Sequence, residues 1–167
     1  MNVIIILATG REGRQSEKVA DFVLGRVDFE SEIIDVRDWA KPVTKRYPEN
    51  QEKLREKFDR ADGFIIVSPE YNSGYPGELK ILLDSFLDEY QGKPVGVIGV
   101  SAGSFGGVRM IEKLRPVLIN LGLEPIDRMV TFKNIGDVFE GGELVEDIYN
   151  RFVDEFLDKL KEKVKAS

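Results

Sequence analysis

An α/β fold, with one parallel five-stranded sheet in the order 2-1-3-4-5 and helices layered on both faces, is what this sequence predicts. Three observations carry that expectation. Short apolar runs alternate along the chain with stretches of helical period. The runs themselves lack polar alternation, which suits parallel strands covered on both faces. Loops rich in glycine, serine and proline follow several of the runs. Alternating strands and helices imply right-handed crossovers in one sheet, and five units favour a doubly wound order. The 167 residues suffice for one ordinary domain, so residues 1–167 are expected to form a single unit.

The elements follow in order. Met1 to Ala8 is the first strand, with Val3, Ile4, Ile5, Ile6 and Leu7 in unbroken succession. A turn from Thr9 to Gln15 leads to a helix with Ser16 as its N-cap and Val19, Ala20, Val23, Leu24 and Val27 as its inner face. Glu32 to Val36 is the second strand. Lys41 to Asn50, with Pro42 and Pro48, is a loop before a charged helix at Gln51 to Arg60. Gly63 to Ser68 is the third strand, and a helix starting near Pro76 buries Leu79, Leu82, Leu83 and Phe86. Pro94 to Val100 is the fourth. The helix after it, Val108 to Leu121, contains Pro116, which predicts a kink or partial break, and Gly122 ends it. Pro125 to Phe132 is the fifth strand. A last helix from about Glu143 carries the stripe Leu144, Ile148, Phe152, Phe156 and Leu160.

Composition removes whole classes of chemistry. There is no cysteine and no histidine, so disulfides, thiolate catalysis and histidine-based acid–base or metal chemistry are excluded. The formal net charge of -6 argues against a broad nucleic-acid-binding face. The run Val3 to Ala8 is too short for a membrane span or a signal peptide. The expectation is a cytoplasmic protein that contacts neither nucleic acid nor membrane.

In a doubly wound sheet, ligands bind beyond the carboxyl ends of the strands at the switch point. That singles out the loops after strands one, three and four. The first, Thr9-Gly10-Arg11-Glu12-Gly13-Arg14-Gln15-Ser16, enters a helix N-terminus, where free N–H groups and the helix dipole favour an anion. It is neither GxGxxG nor GxxxxGK[ST]. A phosphate monoester site and a plain surface turn with solvated arginines both fit it. The second, Pro69 to Gly77, holds Tyr71 and Tyr75, which either stack near a flat ligand or pack on the body. The third, Ser101 to Gly107, is built of small residues that let backbone approach a ligand. Gly99 to Gly103 also satisfies G-x-S-x-G, but a triad needs a base and there is no histidine.

Pro69-Glu70-Tyr71-Asn72, followed by Pro76-Gly77, Leu79-Lys80 and Leu83-Asp84, and then Ser101-Ala102-Gly103 with Gly106-Gly107, resemble the motifs of the NADPH-dependent FMN reductases. These belong to the flavodoxin-like superfamily and include quinone, chromate and azo-dye reductases. The resemblance runs from Asn2 to about Leu121 by motif and onward by architecture. Ala8-Thr9 stands where the family usually has Gly-Ser, Ile81 where it often has asparagine, and Ser85 where it often has tryptophan. The resemblance implies that Thr9, Arg11 and Ser16, assisted by Gln15, hold the FMN phosphate. Pro69, Glu70, Tyr71 and Asn72 would border the isoalloxazine and ribityl chain. Ser101, Ala102, Gly103, Gly106 and neighbouring backbone would meet the pyrimidine edge.

It further implies NADPH or NADH as co-substrate and a small-molecule acceptor: a quinone, free flavin, azo dye or metal oxyanion. No catalytic side chain is required, because the flavin carries the hydride chemistry. The family pairs subunits, so a homodimer or homotetramer is expected. The alternative is a flavodoxin-type FMN electron carrier that does not oxidise NAD(P)H. The loop Lys41 to Pro48, through Lys45 and Arg46, either meets the phosphates of the nicotinamide cofactor or is simply solvated.

Overall fold

The computed structural model describes residues 1–40 and 51–167. The basic loop carrying Lys45 and Arg46 lies outside the described residues. The sheet has the expected order. β1 (Asn2–Leu7) lies between β2 (Glu30–Asp35) and β3 (Gly63–Pro69), β3 pairs with β4 (Pro94–Val100), and all these pairings are parallel. The unbroken apolar runs divide by parity between two cores, as the two-residue period of a strand requires. Ile4, Ile6, Phe64 and Ile66 face α3 (Glu52–Arg60), α4 (Gly77–Asp84) and α5 (Val108–Asn120). Val3, Ile5, Leu7, Ile65 and Val67 face α1 (Ser16–Leu24) and α6 (Ile148–Ala166). With β1, β3 and β4 packed on both faces, only the strand ends are left for a ligand.

Several boundaries differ from expectation. The second strand ends at Asp35, whose side chain accepts from the Arg37 N–H and caps the short helix α2 (Val36–Trp39). The fifth strand is two pieces, β5 (Glu124–Pro125) and β6 (Val130–Phe132), pairing with opposite ends of β4. Between them Arg128 leaves the sheet, pairs with Glu155 on α6 and lies 5.7 Å over the Phe152 ring. A continuous strand would give up both contacts. The last helix begins at Ile148 rather than Glu143. Before it, β7 (Phe139–Glu140) and β8 (Glu143–Leu144) form a hairpin, turned by Gly141 and Gly142 at φ 59° and 92°. Such positive angles at both turn positions match the right-handed twist of a tight hairpin. The buried stripe of α6 is therefore Tyr149, Val153, Phe156, Leu157 and Leu160, while Leu144 sits in the hairpin. α5 runs through Pro116 as one helix. Among the described residues, no helix is long and apolar enough to cross a membrane.

Candidate functional site

The loops after β1, β3 and β4 meet at the carboxyl edge of the sheet and wall a cleft of about 260 Å³. From the first loop it takes Arg11, Gly13, Arg14, Gln15 and Ser16; from the second, Pro69, Glu70 and Tyr71; from the third, Ser101 and Ala102. Val100 and Ile135 complete it. Grooves of about 380 and 400 Å³ run along α6. Those are lined largely by surface charges, among them the mutually paired Arg128 and Glu155 in the first, and they take no residue from the loops after β1, β3 and β4.

Thr9 lies under the cleft rather than in it. It is fully buried, its Oγ1 is 2.8 Å from Tyr71 Oη, and it accepts a hydrogen bond from the Arg11 N–H at 3.3 Å. This residue thus fastens the first loop to the second. The Arg11 guanidinium is exposed and lies 5.0 Å over the Tyr71 ring. Ser16 is the first residue of α1 and not its N-cap. Gln15 holds the cap position, and no side chain closes it. Ser16 Oγ is consequently buried against the cleft with no hydrogen-bond partner among the described residues.

Arg14 occupies the middle of that loop with its side chain 2% exposed. Its Nη1 donates to the Thr9 carbonyl and to Asp35 Oδ1 at 2.8 Å. Its Nη2 donates to Asp35 Oδ2 and to Glu17 Oε1 at 3.1 Å. Arg37 joins them, with Nη2 2.9 Å from Asp35 Oδ2 and 3.6 Å from Glu17 Oε1. Burial works against the Asp35 carboxylate, but the Arg14 and Arg37 bonds outweigh it and hold its pKa at about 2. The bond to Asp35 likewise raises the Arg14 pKa above its ordinary value.

The second loop is shaped by a tight turn. Tyr71 and Gly74 exchange backbone hydrogen bonds of 2.9 Å, with Asn72 and Ser73 at φ 49° and 62° between them. Asn72 is exposed in that turn and does not line the cleft. Glu70 is tied to β4 by its N–H to the Val100 carbonyl at 3.1 Å. Its Oε1 accepts from Arg109 Nε and Nη2 at 2.8 and 2.6 Å. Its Oε2 is buried without a partner among the described residues.

In the third loop the Gly103 N–H donates to Ser101 Oγ at 3.0 Å. The carbonyls of Gly103 and Ser101 accept from Asn134 and Ile135, each at 3.1 Å, which brings Ile135 to the cleft. Gly103 is exposed outside the lining. Gly106 is buried at φ 62°, where a Cβ would fall 2.6 Å from Thr131 Cβ. Its role is to let the loop close on β6. The local sequence offered no signal for Ile135. Arg14 and Arg109 were visible as charges, but their partners Asp35 and Glu70 lie 21 and 39 positions away.

Two orphaned oxygens, Ser16 Oγ and Glu70 Oε2, and the orphaned Arg14 Nε give the cleft its chemical character. A hydroxyl at a helix N-terminus suits an anion, and an acceptor-only carboxylate oxygen suits a ligand N–H or O–H. Buried polar atoms seldom lack partners, so a ligand with an anionic end and a polar flat end fits what these residues leave open. Fold and cleft together define a flavodoxin-like α/β protein with its ligand site at the switch point of the sheet.

The chain belongs to the NADPH-dependent FMN reductase family, whose profile matches residues 1–137. An NAD(P)H-dependent FMN reductase of Schizosaccharomyces pombe is 31% identical over 130 residues, covering 69% of this chain and 64% of that one. An FMN-dependent NADPH-azoreductase of Staphylococcus saprophyticus is 31% identical over 116 residues, 62% of each chain. The matched stretch thus spans under two thirds of either relative. In fold, the chain is similar to FerB, a flavoenzyme NAD(P)H:acceptor oxidoreductase of Paracoccus denitrificans. The TM-score is 0.82 at 20% identity, with 97% and 98% of the two chains covered.

Proposed function

We propose that this protein is a single-domain FMN-dependent oxidoreductase. It takes hydride from NADPH or NADH and passes the electrons to a quinone, free flavin, azo or metal-oxyanion acceptor. The observation that carries this reading is the convergence of the three strand-end loops on one cleft, with Ser16 Oγ and Glu70 Oε2 left unpartnered. Family membership and the named activities of the two relatives support it. FMN, when bound, supplies the hydride acceptance and release. The chain's own groups bind and orient. The N-terminus of α1, the Ser16 hydroxyl and the Arg11 charge hold the phosphate, with Gln15 beside them and Thr9 shaping the loop from below. Pro69, Glu70 and Tyr71 form one wall, with Asn72 making the turn behind it. Ser101 and Ala102 form the other wall, on a loop shaped by Gly103 and Gly106. Cytoplasmic location and a homodimer or homotetramer belong to the same proposal.

Reconstitution with FMN, a visible spectrum, and steady-state NADPH oxidation with menadione test it. A flavin spectrum with menadione-dependent NADPH and NADH oxidation is expected. Tight FMN binding with neither nicotinamide oxidised would favour an electron carrier, and no flavin binding would remove the reading altogether.

A further inference from the structure

Resting on the FMN reading above, we propose that Arg14 is a positioning residue. It shapes the first loop to receive the flavin's phosphate rather than binding that phosphate itself, and Asp35 at the end of β2 is the anchor through which it acts. An arginine at the mouth of an anion site would ordinarily be assigned to the anion. Here both terminal nitrogens are already committed to the Thr9 carbonyl, Asp35 and Glu17, with the side chain almost wholly buried, and only the single Nε–H lacks a partner among the described residues. The cluster holds two cations, Arg14 and Arg37, and two carboxylates, Asp35 and Glu17. It therefore adds no net charge to the cleft, and the charge available to an anion on this loop is that of Arg11.

What Arg14 contributes is geometry. By taking the Thr9 carbonyl it holds that dipole away from an incoming anion, which a carbonyl oxygen would repel. The Thr9 hydroxyl is thereby fixed where it meets Tyr71 Oη and the Arg11 N–H. The same cluster presses on the loop a second time, since a Cβ at Gly10 would come within 2.9 Å of Arg37 Cγ. A planar fork held on two carboxylate oxygens fixes orientation in a way that a lysine ammonium does not.

The test is titration of the flavin-free protein with FMN and with riboflavin, which lacks the phosphate, followed by flavin fluorescence. Arg14→Gln and Arg14→Lys should each weaken FMN by about tenfold or more, as the displaced loop loses the equivalent of one hydrogen bond to the phosphate. Riboflavin affinity should stay within about twofold, because the ring end of the cleft is untouched. Retained riboflavin binding also reports that the variant is folded. Should the Arg14 variants fail to fold, Asp35→Asn carries the test, since it leaves Arg14 in place while removing its anchor, and it too should lose FMN selectively. Full rescue by lysine, equal loss of both flavins, or a gain of FMN affinity in Asp35→Asn would overturn the assignment, as would unchanged FMN binding. A wild-type protein that binds neither flavin overturns the FMN reading instead.

Discussion

Arg11 and Arg14 stand three positions apart on one loop, and their charges are spent in opposite ways. Arg14 is buried in a neutral cluster, whereas Arg11 lies over Tyr71 with no carboxylate paired to it among the described residues. Arg11→Ala should therefore weaken FMN by about one to two decades, the worth of a charge-assisted bond to phosphate, read by titration of the flavin-free protein. Unchanged affinity would take Arg11 out of the site. Asp35 contributes to the acid limb of stability. Its pKa falls from 3.8 to about 2 on folding, so its contribution is complete above the unfolded value and is lost as pH drops through the folded one. Screened by partial exposure, that contribution is at most about 2 kcal/mol. Denaturant unfolding between about pH 4 and pH 2 should show the wild type losing that much more stability than Asp35→Asn. Local spacing marks the two arginines alike, and only the family resemblance singles out Arg11. What separates them is a carboxylate on another strand, a relation that local spacing cannot express.

At the scale of elements, β4 leaves no room for a side chain at Gly96. Gly96 faces α6 so closely that a Cβ there would lie 2.2 Å from Phe156 Cζ, and that ring is fully buried. Gly96→Ala should cost about 1–3 kcal/mol by overpacking, seen as a lower unfolding midpoint. Adding Phe156→Leu should recover part of that, so the double variant should lose less than the sum of the two single losses. Additive losses would show that the strain lies elsewhere. On the opposite face, Tyr90 packs among Phe58, Phe64 and Phe86 with its hydroxyl buried and unpartnered among the described residues. Tyr90→Phe should accordingly be neutral or stabilising by up to about 1 kcal/mol, because it removes only an unsatisfied polar atom. The strands and their order were legible because apolar runs of this length have few other uses. The break between β5 and β6 and the late start of α6 were not. The first depends on a side chain reaching across the fold, Arg128 to Glu155, whereas in the second Leu144, Ile148 and Phe152 keep a helical four-residue spacing across a hairpin boundary.

For the whole molecule, the loop rule of doubly wound sheets located three segments from sequence, and the structure gathers them around one cleft. It could not foresee that Ile135 would join them, nor that Thr9, Asn72, Gly103 and Gly106 would lie outside the lining. Exposed Phe105 and Ile119 leave apolar surface outside the core, and a dimer or tetramer is expected by light scattering. A mass of 18.9 kDa at every concentration would refute that. For the proposed function, the arrangement of the cleft also predicts an order of events. β1, β3 and β4 are packed on both faces, and the loops wall the carboxyl edge, so the cleft cannot be approached through the body of the sheet. A nicotinamide and an acceptor must then reach a flavin held there from the same, outer side. Among the described residues, no second compartment adjoins this cleft of about 260 Å³. On the proposed function the two therefore bind in turn, the oxidised nicotinamide leaving before the acceptor enters. Initial rates measured over a grid of NADPH and menadione concentrations should give parallel double-reciprocal lines, as a ping-pong mechanism requires. Competition by high menadione against NADPH should follow from the shared approach. Lines that intersect would mean that both molecules bind together, and that the protein offers the nicotinamide a surface away from this cleft.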